Sequence, residues 1–259
     1  MSYDDDNRIP RTGRHGFAHG GESAIRRLRA AGLQPRPRQG ARARRQGRAG
    51  LRHAGAVIVD SSTNTPAMAR EVAQAAAARG VQYLDAPVSG SLAQAQGKEL
   101  VFMVGGDAAA FERAQPLFKA MGRMAKHMGA SGTGATIKLI NNMLSGTATA
   151  AIAEAVIAAE AAGLDRAATL EVLAEGAAGS RLLKTRMPKM FNRDFTPQFQ
   201  LQLMEKDLRY FQLLALELDR PMPVASLVRS QFQAARRNAL GTLDSCALYL
   251  QAAGEKPKA

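Results

Sequence analysis

"GTGATIKLINN", residues 132–142, is the stretch at which the chain changes character. Before it, short apolar runs alternate with helical patterns; after it, every segment reads as helix. Lys138 and Asn142 stand four residues apart, so on a helix they share one face, one turn apart. The same count reaches Ser145 and Thr149, while Ile137, Leu139, Ile140, Met143 and Leu144 surround the stripe. A solvated helical face is usually rich in Glu, Lys and Arg. This one carries a single charge among amides and hydroxyls, so the stripe reads either as an ordinary polar face or as the lining of a cleft, and its composition favours the cleft.

Upstream, "AVIVD" (56–60) is a buried-strand run, "PAMAREVAQAAAARG" (66–80) opens with Pro and closes with Gly as helices do, and "VQYLDAPV" (81–88) is a second strand. A strand at 100–104, a helix at 108–121 and a strand near 123–128 follow. This alternation predicts an α/β part with a mainly parallel sheet. Downstream, breaks are expected at Gly163, Gly176–Gly179, "NRDFTPQF" (192–199) and "RPMP" (220–223) of an all-α part.

The 259 residues carry a net charge of +13 and 46% hydrophobic residues, enough apolar material for real cores. The charge is unevenly spread. Residues 1–55 hold 13 Arg and no Lys against 4 acidic residues, whereas the other 204 hold 22 basic and 18 acidic residues. The basicity belongs to the head, so nucleic acid is not the expected partner of the body. Cys246 is the only cysteine, which excludes an intrachain disulfide. The apolar run "TATAAIAEAVIAAEAAG" (147–163) is broken by Glu154 and Glu160, so it reads as a soluble helix rather than a membrane span. A cytoplasmic protein is expected. His53 and His127 have no partner pattern, and no metal site is read.

From Ala56 to Leu250 the chain resembles the β-hydroxyacid dehydrogenase family. The resemblance rests on four segments in the family's order: "VIVDSST" (57–63), "LDAPVSGS" (84–91), "GTGATIKLINN" (132–142) and "FQLQLMEKDL" (199–208). It implies a Rossmann-like α/β N-terminal domain followed by an all-α C-terminal domain. It further implies an NAD- or NADP-dependent interconversion of a small 3-hydroxyacid and its semialdehyde, and a homo-oligomer. Lys138 would be the catalytic lysine and Asn142 its substrate-orienting partner. Ser89 and Gly90 would hold the substrate carboxylate, Thr63 and Lys206 would contact the cofactor near its nicotinamide, and Phe199 would flank the ring. Gly90-Ser91, where the family often has two glycines, is similar to the semialdehyde-reductase branch. The chemistry suits these residues, because a lysine whose pKa is lowered from roughly 10.4 by burial can both give and take the proton that accompanies hydride transfer. Other readings stand beside these: Lys206-Asp207 as a helix surface pair, Ser89-Gly90 as a plain turn, Phe199 as core. Asp85 reads as a structural residue at a strand end.

The family's G-x-G-x-x-G fingerprint, which holds a pyrophosphate at a helix N-terminus, occurs nowhere in the sequence. "GTGATI" has Ile137 in the third glycine's place and opens the all-α part. No Asp or Glu lies between Glu22 and Asp60 to bind a ribose. The organisation read from the sequence is an irregular Arg-rich head at 1–55, with one short helix at 22–32, the remaining α/β part at 56–131, and an all-α part at 132–259. An incomplete first Rossmann half implies weakened cofactor binding. Two function classes remain: the dehydrogenase, and a non-enzymatic remnant or basic protein that binds polyanions by counterion release. The Gly/Arg/Pro/Ala texture before Ala56 is that of a GC-rich gene read in a shifted frame or of a wrong gene model. Translation of the genomic DNA upstream of the Ala56 codon in the other two frames is then expected to show a strand, a G-x-G-x-x-G and an apolar helix. Their absence from both frames overturns this account.

Overall fold

The computed structural model describes residues 55–256, which belong to one compact unit. The expected helix at 22–32 lies outside the described residues. β1 (Val57–Asp60) is a β-branched run, and α1 (Pro66–Ala77) returns the chain to β2 (Gln82–Asp85), which pairs parallel with β1. α1 starts where Thr65 accepts the Met68 N–H at 3.2 Å and Pro66 takes the first turn; Ala69, Val72 and Ala76 recur at helical spacing on its buried face. A two-residue strand β3 (Val88–Ser89) and the short helix α2 (Leu92–Gln96) lead into β4 (Leu100–Gly106). α3 (Ala108–Met121), capped by Asp107, then leads to β5 (Gly122–Gly129), parallel to β4.

The sheet is mixed, which corrects the expectation of a mainly parallel one. β4 runs antiparallel to both β2 and β3, so two parallel pairs, β1·β2 and β4·β5, meet head to tail. The reason lies between residues 86 and 99. A parallel crossover needs a helix that packs back over the sheet, and α2 buries none of its five residues. Successive β2 side chains point to opposite faces. Leu84 joins Phe102, Val104, Phe111 and Phe118 under α3, whereas Tyr83 packs with Ala69, Val72 and Ala76 of α1.

α4 (Thr133–Ala161) leaves the sheet and becomes the axis of the helical part. It is long and apolar enough to cross a membrane. Here it instead packs against β4 at its start and against α6 (Arg181–Phe191), α7 (Leu201–Glu217), α8 (Pro223–Ala235) and α9 (Leu248–Ala253) further along. α5 (Arg166–Glu175) sits beside α6. The helices break at the four expected places, the first at Gly163 with φ +67°. Their core contains Val156, Met187, Met190, Leu208, Phe232 and Leu248. One closure was not anticipated. Arg193, at φ +54°, grips both oxygens of Glu160 at 2.8 and 3.1 Å and reaches Glu255 and the Tyr249 ring, tying the end of α4 to the last helix.

Candidate active site

α4 meets the sheet end-on. Gly132, at φ +95°, precedes its first turn, and the Asp85 carboxylate at the end of β2 accepts two of that turn's N–H groups. Oδ1 takes Gly132 N at 2.9 Å, and Oδ2 takes Ala135 N at 2.8 Å. Asp85 is 3% exposed, a structural residue at a strand end as the sequence suggests. A Cβ on Gly134 would fall 2.3 Å from the Asp85 carbonyl oxygen and 2.5 Å from that of Met103. The glycines of "GTG" therefore serve close approach, and the N–H groups an anion would want already end on a carboxylate.

Further along the helix, Lys138 and Asn142 are 9% and 5% exposed, too enclosed for a solvent face. Burial pulls the Lys138 ammonium below its ordinary pKa of 10.5; the Asp207 carboxylate pushes the other way and the Lys206 charge adds to the fall. Among the described residues no side-chain hydrogen bond holds this ammonium. Asn142 Nδ2 donates to Asp207 Oδ2 at 2.5 Å, and Asn142 Oδ1 accepts from Asn141 at 2.9 Å. Since an ionised carboxylate can only accept, Asp207 fixes which way the amide faces. One N–H of Asn142 remains for a substrate.

Asp207 is the residue at the centre of this cluster, and the sequence reading gave it no role. It is 2% exposed on α7. Lys206 Nζ stands 3.1 Å from Oδ1 without the alignment of a hydrogen bond, so Oδ1 is a buried acceptor with an open lone pair. Its position carries a signal, since Asp207 lies three residues after Met204 and four before Phe211, both buried. Lys206 Nζ also donates to the Thr63 carbonyl at 3.3 Å, joining α7 to the loop after β1. That loop is braced by Asp60, which accepts from Asn64 at 3.3 Å, from the Tyr83 hydroxyl at 2.8 Å and from Ser62. Thr63, Lys138, Asn142 and Lys206 are thus brought together through Asp207.

Ser89 ends β3 opposite Val101, half-buried, and Gly90 follows at φ +136° with Gln94 and Leu100 each 2.9 Å from where its Cβ would be. Among the described residues no hydrogen bond or ion pair joins this loop to Lys138, Asn142 or Asp207; it follows Asp85, the cap of α4, by four residues along the chain. Phe199 precedes α7, half-buried against the helical core, its N–H held by Asp244 at 3.2 Å. The outer half of the polar stripe has another use. Arg186 donates to the Ser145 carbonyl and hydroxyl, both at 2.7 Å, and Thr149 bonds the same carbonyl at 2.7 Å. The stripe is buried beside Asp207 at Lys138 and Asn142 and is a structural joint at Ser145 and Thr149.

The donor set fits one end of a dinucleotide. Thr63, Lys206 and the open Asp207 oxygen offer polar contacts for the nicotinamide side. For a pyrophosphate the starts of α3 and α4 are unsuitable, because α3 is capped by Asp107 at 2.8 Å and α4 by Asp85, each placing a carboxylate where a phosphate would sit, whereas α1 opens on Pro66 with the neutral Thr65 hydroxyl as its cap. His127 bonds the Gly106 carbonyl at 2.8 Å, and among the described residues no cluster of His, Cys, Asp or Glu could hold a metal. A concavity of about 530 Å³ beside the C-terminal residues, lined by Asn238, Leu240, Leu250 and Gln251, contains none of the site residues. The chemistry, not the size of a hollow, locates the site.

Two family models cover most of the chain. Residues 39–130 match the NAD-binding domain of 6-phosphogluconate dehydrogenase, a match that reaches back into the Arg-rich head, and residues 132–251 match the NAD-binding region of NADP-dependent 3-hydroxyisobutyrate dehydrogenase. The 3-hydroxyisobutyrate dehydrogenase of Pseudomonas aeruginosa is 38% identical over 183 residues, covering 68% of this chain and 61% of the relative. The 2-hydroxy-3-oxopropionate reductase of Escherichia coli is 35% identical over 194 residues, covering 75% and 66%. A solved 3-hydroxyisobutyrate dehydrogenase of Mycobacterium tuberculosis, with L-serine, superposes with a TM-score of 0.70 at 32% identity, over 76% of this chain and 69% of that one. The chain spans less than two thirds of the length of these two curated relatives.

A lysine whose folded pKa lies below its unfolded value is a stability cost wherever both states are protonated. That cost is fully present below the folded pKa and is relieved as pH rises from there toward 10.5, where the unfolded chain also gives up its proton. Lys138→Met is therefore expected to raise the thermal midpoint at neutral pH, with the gain shrinking as pH climbs toward 10.5. Thermal melts across that range check it, and a gain that grows with pH refutes the assigned direction.

Proposed function

The chain belongs to the β-hydroxyacid dehydrogenase family, and from that premise we propose that it interconverts a small 3-hydroxyacid and the corresponding semialdehyde with NAD or NADP. The observation that supports this most is Lys138, a buried ammonium with a lowered pKa, lying on one helix face with an asparagine whose orientation is fixed. A bound nicotinamide supplies or accepts the hydride at the reacting carbon. As that carbon is reduced its oxygen gains charge, and Lys138 Nζ donates a proton to it; in the other direction the neutral amine takes the hydroxyl proton. The second N–H of Asn142 would donate to the same oxygen and keep it beside Nζ. Ser89 Oγ and the Gly90 N–H would hold the substrate carboxylate, at a position whose φ of +136° favours glycine. Thr63 and Lys206 would hold the nicotinamide side and Phe199 would flank its ring.

The second reading, a non-enzymatic remnant or a basic polyanion-binding protein, is favoured by the absence of a G-x-G-x-x-G from the sequence and by the carboxylate caps on α3 and α4. Losing two charge-assisted hydrogen bonds to a pyrophosphate, about 1.5–3 kcal/mol each, weakens binding by about two to four decades. Titration of the full chain with NADH and NADPH separates the readings. A micromolar dissociation constant shows that the chain builds a working phosphate site. Salt-dependent nucleic-acid binding without nucleotide binding supports the remnant. With 3-hydroxyisobutyrate or L-serine as substrate, Lys138→Ala is expected to lower turnover by about 10²–10⁴-fold at unchanged helicity. Turnover within a few-fold of the parent rules the acid/base role out.

A homo-oligomer is part of the same proposal. Leu213 and Leu216 of α7 and Val224 and Leu227 of α8 are all exposed, an apolar face that a second copy would cover. Light scattering at high concentration is expected to give at least a dimer, and a strictly monomeric mass contradicts it.

A further inference from the structure

We propose that Asp85 is a positioning residue of the reaction, whose carboxylate fixes the start of α4 on the sheet and so sets Lys138 against the Ser89–Gly90 loop. This rests on the reading of Lys138 as the acid/base group. The other helix caps show what is different about this one. Asp107 and Asp165 each accept from a residue three positions on, at 2.8 Å, and stabilise their own helices locally. Asp85 caps a helix 47 and 50 residues away, spending both oxygens on it. A local cap makes a helix more stable wherever that helix lies, whereas a cap from a distant strand specifies where the helix goes.

The surroundings of Asp85 are built for this contact. A Cβ on Gly105, its partner across to β4, would fall 2.7 Å from Asp85 Oδ1 and 2.8 Å from Gly134 N, so only glycine leaves room for the helix. On the other side Asp85 is in register with Asp60, whose carbonyl accepts the Ala86 N–H at 2.8 Å. One buried side chain thus stands where the braced loop of Thr63, the strand leading to Ser89 and the helix bearing Lys138 converge. Burial raises the Asp85 pKa above its ordinary value while the Gly132 and Ala135 N–H groups lower it, in keeping with a carboxylate enclosed between these segments.

The test reads Lys138 directly. In the full chain, reductively methylated with ¹³C-formaldehyde, the Lys138 resonance is assigned by its loss in Lys138→Arg and titrated by NMR. Its midpoint is expected below that of an ordinary lysine in the parent. It should rise by about one pH unit, a tenfold smaller neutral fraction at fixed pH, in Asp85→Ala, and by less in Asp85→Asn, which keeps one acceptor. The cause is water reaching the ammonium through a loosened first turn. Asp107→Asn, which weakens only a local cap, should leave the midpoint in place. Folded Asp85 variants with a midpoint within about 0.3 units of the parent overturn the inference and leave the acid/base reading standing. A parent Lys138 that titrates as an ordinary lysine overturns both. Should the variants not fold, hydrogen exchange on the parent decides. Gly132 and Ala135 amides as protected as those of Leu139 and Asn142 support the long-range cap, and exchange at the rate of an open chain refutes it.

Discussion

Everything in this molecule that could do chemistry hangs on the seating of α4 against the ends of β2 and β4. Two glycines, Gly105 and Gly134, leave no space for a side chain at the junction, and one carboxylate, Asp85, closes it. A helix rises about 1.5 Å per residue. Lys138, six residues beyond Gly132, therefore stands roughly 9 Å in from the sheet end, and Asn142 roughly 15 Å. An error of one residue in seating the helix would turn the reactive face by about 100°. Close packing at the junction is what turns a sequence spacing into a fixed direction.

Lys138 is held in an environment that disfavours its charge, although a carboxylate is close at hand. Asp207 does not neutralise it: Oδ2 takes the Asn142 N–H, and Oδ1, 3.1 Å from Lys206 Nζ, makes no hydrogen bond to Lys138. Desolvation therefore outweighs attraction. Had Asp207 been free to pair with Lys138 alone, the ammonium would have been stabilised and its proton harder to give up. Lys206 has two effects: its charge opposes that of Lys138, and its bond to the Thr63 carbonyl ties the helical part to the α/β part.

Much of this was legible from residue pattern. The helix read at 108–121 has those bounds in the structure, where the Asp107 carboxylate accepts the Ala110 N–H. The helical breaks fall where Gly163 and the proline-bearing segments place them. The mixed sheet was not legible, since strand direction depends on whether the 86–99 connection covers the sheet, and α2 is a helix by local preference that packs on nothing. At the site, Lys138 and Asn142 were visible as a polar pair in an apolar stretch. Asp207 was not, because a Lys-Asp pair on an amphipathic helix looks like surface; only its phase relative to Met204 and Phe211 reveals that it points inward. The stripe continuing to Ser145 and Thr149 was read too far, since periodicity reports which residues share a face but not what covers each turn. There Arg186 supplies the partner from another helix.

The two halves of a dinucleotide place different demands on a protein, and this chain meets them unequally. The nicotinamide side asks for a few polar groups, and long-range packing brings Thr63, Lys206 and Asp207 together at the joint between sheet and helices. The pyrophosphate asks for uncapped N–H groups at a helix start, arranged by glycines. The starts of α3 and α4 have N–H groups taken by Asp107 and Asp85, whose carboxylates repel an anion, while α1 is capped by the neutral Thr65 hydroxyl. Arginines are plentiful in residues 1–55, and a guanidinium can clasp a phosphate with two bonds. Charge by itself, however, gives attraction that salt screens and that does not discriminate among polyanions. Discrimination comes from donors held in place by backbone geometry. The charges that act on Lys138 lie on α7, and its burial follows from the seating of α4 on the sheet.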